Sequence, residues 1–346
     1  MKKNYQSYSQ IVNWDNIYLA YKKAAKGRYY RQDVLIFNTK LEENLLLIKK
    51  QLEEEKYHFG PYRKRIIHEP KRRVISIAPF SDRIVHHAIC QVVEPFFDKG
   101  FIFDTYACRS NKGNQAAIKR LRHWLSGRRF IWAWQGDIYH YFSSIDQQIL
   151  LGEIGRFFND QKIIKLLDKV ISSYTDEAGQ QVGLPIGNLT SQLFANIYLN
   201  PLDHFIKRNL KQRYYIRYMD DLLILSNDQE QLRKSWLKID DYLSNKLKLT
   251  LHSKKVQIVK IKNGFNFLGY RHFINYYRPK KETFQRFFQR LKRLIGNNKL
   301  EVKGIIMFWL AWKNYCQKSR FYFLTQRLIS VTESKKSLID GSKMIC

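Results

Sequence analysis

A chain of 346 residues, 45% hydrophobic and 15% aromatic, has enough apolar material for a sizeable core and is not a disordered polypeptide. Its net charge of +31, from 61 Lys and Arg against 30 Asp and Glu, exceeds what solubility requires and favours a polyanionic partner, nucleic acid first. The basic residues are spread over the whole chain, which suits a long charged channel better than a basic tail or a membrane-surface helix.

Cys90, Cys108, Cys316 and Cys346 share no CxxC spacing, so neither a zinc knuckle nor a disulfide framework is expected, and a reducing, cytoplasmic setting is. The amino terminus lacks the apolar stretch of a signal peptide, and the longest apolar run, Gly304 to Trp312, is too short to cross a bilayer. No membrane partner is expected.

In chain order, residues 13–28 predict a helix with Asp15 as cap and Ile17, Tyr21 and Ala24 on one face. Residues 38–55 predict another, with Leu41, Leu45, Ile48 and Leu52 at spacings of four, three and four. Residues 57–79 read as short basic strands turning at Pro70. Residues 82–97 and 114–125 return to helix, the second with a basic face of Lys119, Arg120 and Arg122. The aromatic run 130–138 predicts a strand ending at Asp137. Helices are expected over 146–159 and 160–174, a turn over 176–180, and a helix over 189–209. An apolar hairpin follows, then a helix over 229–246, single strands over 250–261 and 265–273, and three amphipathic basic helices over 279–329.

The hairpin, Tyr214 to Ser226, carries the chemistry. Asp220 and Asp221 interrupt an apolar, β-branched and aromatic run where the chain is expected to turn. An isolated Asp-Asp pair is most often a solvated turn. Two carboxylates between apolar strands instead call for compensation, and Mg2+, which takes one or two carboxylates plus substrate phosphates, supplies it. Asp137 offers a third acid at a strand end. Acids on separate strands can hold two Mg2+ ions about 4 Å apart, one activating an attacking oxygen and one stabilising a leaving group.

Asp137 with Phe142, Gly183 to Tyr198 (GLPIGNLTSQLFANIY), Tyr218-Met-Asp-Asp221, Leu251 to Val256 and Phe265 to Tyr270 resemble motifs A, B, C, D and the primer grip of reverse transcriptases, in order. Pro70 to Ile77 and Ser81 to Ala88 resemble the finger motifs of bacterial enzymes related to group II intron reverse transcriptases. The resemblance implies an α/β (α+β) right-hand polymerase. Residues 1–56 would form a helical extension and 57–135 the fingers. The palm, a small antiparallel sheet backed by helices, would span 136–275, with 148–182 packing against the fingers, and the thumb 276–346.

The same resemblance implies that Asp137, Asp220 and Asp221 are catalytic and bind two Mg2+ ions, for which Mn2+ can substitute. Phe142 would stack under the incoming sugar and select dNTPs. Lys71, Arg73 and, less directly, Arg65 would clamp the triphosphate, with Ile186, Gly187 and Gln192 lining the nucleotide pocket. Lys255 is a candidate proton donor to pyrophosphate. Arg286, Arg290, Lys292 and Arg293 would track the template RNA and the RNA–cDNA duplex, chiefly through phosphates.

Motif B departs from most relatives, which have glutamine before the glycine and proline after the serine. Here Ile186 and Gln192 stand there. The segment is similar to that of reverse transcriptases from diversity-generating retroelements, which copy a template RNA with errors at adenine during mutagenic retrohoming and work with a small basic accessory protein. An intron-like or phage-defence reverse transcriptase, and a non-catalytic RNA-binding protein on a polymerase fold, are the alternatives.

Overall fold

The computed structural model describes residues 7–68, 72–127, 129–283, 285, 286 and 289. Its helices are α1 (Ser7–Ile11), α2 (Trp14–Ala25), α3 (Gln32–Asn38), α4 (Leu41–Glu53), α5 (Phe80–Gly100), α6 (Asn114–Gly127), α7 (Gln147–Gly155), α8 (Gln161–Ser172), α9 (Leu189–His204) and α10 (Gln229–Leu247). The strands are β1 (Arg63–Ile67), β2 (Arg73–Ile77), β3 (Trp132–Asp137), β4 (Tyr215–Tyr218), β5 (Asp221–Ser226), β6 (Gln257–Lys260), β7 (Phe265–Phe267), β8 (Tyr270–His272) and β9 (Tyr277–Pro279). They form a two-stranded sheet β1-β2, a four-stranded sheet ordered β4-β5-β3-β6, and a three-stranded sheet β7-β8-β9.

Backbone packing separates two units. One comprises Met1–Ala117, Gln135–Ile224 and Glu230–Gln257, the other Ile118–Trp134, Leu225–Gln229 and Ile258–Cys346. In the first unit α2 packs along α5, α5 along α9, and α7 against α8 and α9. The apolar periodicity dictates these faces. In α8, Ile163, Leu166, Leu167, Val170 and Ile171 make one buried stripe, and Asp160 caps the helix by accepting the Lys162 N–H at 2.9 Å. Asp146 caps α7 in the same way, accepting from Gln148 and Ile149 at 3.0 Å each.

Several elements differ from expectation. The cap of α2 is Asn13, whose Oδ1 accepts the Asp15 N–H at 2.8 Å; Asn13 has the extended backbone a cap requires, whereas Asp15 lies inside the first turn. Helix α3 buries only Val34, too little to show a period in sequence. In 250–261 only β6 is a strand. Leu251 makes a single bridge to Ile138, and the His252 carbonyl accepts the N–H groups of Lys255 and Val256 at 2.9 and 3.2 Å, which closes a turn. The run 265–273 is a hairpin, because Leu268 and Gly269 take φ of 49° and 86° and reverse the chain between β7 and β8. Helix α9 ends at His204 and widens into a π turn over Phe205–Asn209.

In the second unit, Arg122 is not part of an exposed basic face. It is half-buried and donates from Nη1 to the Phe273 carbonyl at 2.7 Å and from Nη2 to that of Ile274 at 2.9 Å. Ile118, Tyr270 and Tyr277 form a small buried cluster beside it. The turn expected at Pro70 and, apart from residues 279–283, 285, 286 and 289, the basic helices expected over 279–329 lie outside the described residues.

Candidate active site

Strands β4 and β5 pair antiparallel from Tyr215↔Ile224 to Tyr218↔Asp221, leaving Met219 and Asp220 as a two-residue loop. Tyr215, Ile216 and Leu222 to Leu225 are buried, so the hairpin is fixed in register by its apolar side chains. Met219 takes φ 54°, the positive value that lets a two-residue loop follow the twist of its strands. For a residue with a Cβ that costs about 1–2 kcal/mol. Sequence reading put both acids in the turn. Asp220 is there, half-buried, and Asp221 is the first residue of β5.

A buried ionic network lies beneath this turn. Arg217 and Asp203 are both fully buried, with Arg217 Nη2 donating to Asp203 Oδ2 at 2.7 Å and Nε to Oδ1 at 2.8 Å. Tyr215 Oη and Thr105 Oγ1 also donate to Asp203, at 2.7 and 3.0 Å. Burial alone would lower the Arg217 pKa, and the Asp203 carboxylate holds it above the ordinary arginine range. Sequence analysis missed this pair. The only signal was a basic residue inside an apolar strand two residues before the tip.

Asp137 ends β3, which neighbours β5 in the sheet. Its carbonyl accepts the His252 N–H at 2.7 Å, and its Oδ2 accepts from Lys255 Nζ at 2.5 Å. Burial pushes the Asp220 carboxyl above its ordinary value and repulsion from Asp137 adds to this, against a backbone hydrogen bond and the charges of Lys255 and Arg73. Two acids from neighbouring strands therefore feel each other across one site, with a lysine and an arginine supplying the balancing charge. Among the described residues no group of three or more His, Cys, Asp or Glu side chains is arranged to hold a metal by itself. That donor set fits Mg2+, which takes few carboxylates and completes its shell with water and phosphate oxygens. Lys255 provides the positive charge that such an ion would bring.

Phe142 lies in the 3₁₀ turn Tyr141–Ser144, half-buried. Its carbonyl accepts the Leu184 N–H at 2.8 Å, and the Gly183 N–H donates to Ile145 at 2.8 Å, so the turn and the GLPIG loop form one piece. Gly183 has φ 84°, and a Cβ there would meet Ser143 Cα at 3.1 Å. The Ile186 carbonyl accepts the Ser76 N–H at 2.9 Å, joining the loop to β2. Gly187, at φ 117°, lets Ile75 approach; a Cβ would stand 2.7 Å from Ile75 Cγ2. Gln192 is half-buried in the first turn of α9.

Arg65 pairs with Ile75 and Arg73 with Ile67 in the β1-β2 hairpin, so strand alternation puts both arginines on the face that carries Ile75. Both are exposed. Arg286 is exposed, with Nε donating to the Glu282 carbonyl at 3.2 Å. Lys71, Arg290, Lys292 and Arg293 lie outside the described residues.

Residues 63–272, more than half of the chain, match the family model described as reverse transcriptase (RNA-dependent DNA polymerase). The chain belongs to the reverse transcriptase family, whose activity is RNA-directed DNA polymerisation, and its mixed helix-and-sheet architecture is the right-hand polymerase fold. It is similar to protein YkfC of Escherichia coli strain K12, 26% identical over 257 residues, covering 62% of this chain and 68% of that protein. It is also similar to the group II intron-encoded protein LtrA of Lactococcus lactis subsp. cremoris, 24% identical over 338 residues, covering 76% of this chain but only 56% of LtrA. Among solved structures, telomerase from Candida tropicalis in complex with a TWJ fragment of telomeric RNA superposes with a TM-score of 0.52 at 14% identity, covering 78% of this chain and 55% of that one. Among the described residues no helix is long and apolar enough to cross a membrane.

Proposed function

We propose that the chain copies a template RNA into cDNA by two-metal nucleotidyl transfer, as the error-prone polymerase of a diversity-generating retroelement. The observation that carries the catalytic part is the approach of Asp137, at the end of β3, and Asp220, in the loop that leads into the neighbouring β5, with the charges of Lys255 and Arg73 acting on Asp220 and Lys255 paired with Asp137. Asp137 and Asp220 would hold two Mg2+ ions, or Mn2+, and Asp221 adds negative charge. Bound there, the metals would activate the primer 3′ oxygen and stabilise the pyrophosphate leaving group.

The chain's own residues do the rest. Arg73, with Lys71 and Arg65, binds the triphosphate. Lys255, which pairs with Asp137, would give a proton to pyrophosphate. Phe142, fixed by the Leu184 N–H on its carbonyl, packs under the sugar and excludes a 2′-hydroxyl. Ile186 gives only an apolar surface beside the nascent base pair, where an amide would give a directional check. Discrimination by apolar contact is weaker than discrimination by hydrogen bonds, which supports the mutagenic reading. Arg286, Arg290, Lys292 and Arg293 would follow the duplex backbone. The fingers, palm and thumb would occupy 57–135, 136–275 and 276–346 after a helical extension over 1–56, and a small basic accessory protein would help to recruit the template in the cytoplasm.

The similarity to LtrA favours a second reading, an intron-like polymerase of ordinary accuracy. Primer extension on a defined RNA template with Mg2+, followed by cDNA sequencing, separates the two. The mutagenic reading expects errors concentrated opposite adenine that fall in Ile186→Gln; accurate cDNA from the wild type sinks it and leaves the intron-like enzyme. Asp220→Ala is expected to lower synthesis by more than about 100-fold with RNA binding retained, given that even outer-shell partners of a metal are worth about 10–100-fold. Equal loss of RNA binding would mark the acids as structural.

A further inference from the structure

The turn that carries Asp220 is held from below by a side chain that nucleotidyl transfer does not itself require. Arg217 is fully buried, and its guanidinium is split between two tasks. Nε and Nη2 clasp Asp203, while Nη1 donates to the Met219 carbonyl and to Asn196 Oδ1, both at 3.1 Å. Asn196 and Asp203 stand seven residues apart on α9, so one helix face aims the whole fork. The Arg217 backbone is fixed as well. Its N–H donates to Asp104 at 3.0 Å, its carbonyl accepts the Tyr106 N–H at 3.1 Å, and its other edge pairs with Leu222.

Charge balance is met by Asp203 alone, so the Nη1 arm has a separate consequence. The peptide unit is planar, and a fixed Met219 oxygen therefore fixes the plane that contains the nitrogen and Cα of Asp220. The two-residue loop asks Met219 for a positive φ at a cost to its side chain, and the Arg217 hydrogen bond to the Met219 carbonyl opposes its relaxation, which would re-aim Asp220. Asn196 holds the same arm from the other side; its Nδ2 donates to the Ala107 carbonyl at 2.8 Å, which keeps its oxygen turned to Arg217.

We propose that Arg217 is a positioning residue of the metal site: through the Met219 carbonyl it sets the direction of the Asp220 carboxylate, with Asn196 and Asp203 aiming the guanidinium. This rests on the proposed polymerase function. Lysine is a poor substitute, since a single ammonium cannot clasp Asp203 and reach Met219 together.

The experiment compares wild type, Arg217→Lys and Asn196→Ala, normalised to folded protein. Mn2+ affinity is read by electron paramagnetic resonance on the complex with RNA template and a dideoxy-terminated primer, and kcat and KM for dNTP are read separately with an extendable primer. The expected result for Arg217→Lys is Mn2+ binding weakened by about 10–100-fold and kcat reduced in proportion, with template–primer affinity unchanged. Asn196→Ala is expected to show a smaller shift of the same kind, and decides the matter if the lysine variant does not fold. Wild-type Mn2+ affinity and kcat in folded variants, with only the unfolding midpoint lowered, would overturn the proposal and leave Arg217 a structural residue. A wild type that binds Mn2+ but makes no cDNA would refute the polymerase reading, and the Mn2+ comparison would still judge Arg217.

Discussion

The chain contains two short antiparallel hairpins that frame the site and are built on opposite plans. In β4-β5 Tyr215, Ile216, Arg217 and Leu222 to Leu225 are buried while the tip, Tyr218 to Asp221, is half-buried, and a buried ion pair stands beneath it. In β1-β2 most residues are exposed, Arg63, Lys64, Arg65 and Arg73 among them, and only Ser76 is buried. The β4-β5 hairpin uses apolar burial and an enclosed charge network to hold a carboxylate in one place. The β1-β2 hairpin has little to hold it rigid, and its arginines are exposed where a phosphate can reach them. β1-β2 is tied to the GLPIG loop by the Ser76–Ile186 hydrogen bond and by the contact that Gly187 permits with Ile75.

The strongest test of this contrast is Asp203→Ala. It leaves the Arg217 guanidinium buried without its partner, and breaking such a pair costs about 3–5 kcal/mol. Urea unfolding should show that loss; a change below 1 kcal/mol, on the order of an exposed pair, would erase the distinction between the hairpins. Next is the link between β1-β2 and the GLPIG loop. Gly187→Ala places a Cβ 2.7 Å from Ile75 Cγ2 at a backbone φ of 117°, with an expected cost of about 1–3 kcal/mol and a raised KM for dNTP. An unaltered KM would show that β1-β2 does not depend on this contact.

A third test concerns the tip itself. The Asp220 carboxyl is held above its ordinary value by burial and by Asp137, so its ionised form opposes folding, and the stability it contributes is present at low pH and lost as pH rises through its folded pKa. In metal-free protein Asp220→Asn should therefore raise Tm at neutral pH, with the gain shrinking as pH falls into the carboxylate range. A variant that is less stable at every pH would contradict the burial cost. The smallest structural effect is expected in β2. Arg73→Ala should change stability by no more than about 0.5 kcal/mol, yet raise KM for dNTP by about tenfold, the worth of one charge-assisted hydrogen bond. Stability loss without a KM change would reassign Arg73 to the fold.

The hairpins also show what a sequence discloses. Tyr214 to Ser226 was legible because its apolar run, its turn and its acids are contiguous, and the caps at Asp146 and Asp160 sit directly before periodic helices. Arg217 was illegible because its partner lies 14 residues earlier on α9 and three-dimensional packing alone brings them together. Arg122 failed for the same reason, its acceptors being main-chain carbonyls some 150 residues away, for example Phe273 at a separation of 151. The Leu268-Gly269 reversal was hidden because leucine at φ 49° is a conformation that sequence statistics disfavour. The expected strands on either side of Pro70 are present as β1 and β2, but the face each arginine takes follows only from the register.

The Lys255–Asp137 pair has a consequence for the life of the chain before it meets substrate. An apolar hairpin tip with facing carboxylates would be a point of mutual repulsion in a newly folded molecule. Here the chain carries a counter-ion of its own, so a tethered ammonium offsets part of that repulsion. Under the proposed function, an arriving metal–nucleotide pair displaces a tethered ammonium instead of entering an open charge trap. Stray cations without a triphosphate then compete against a built-in occupant, and the resting molecule keeps its acids unspent until both partners arrive.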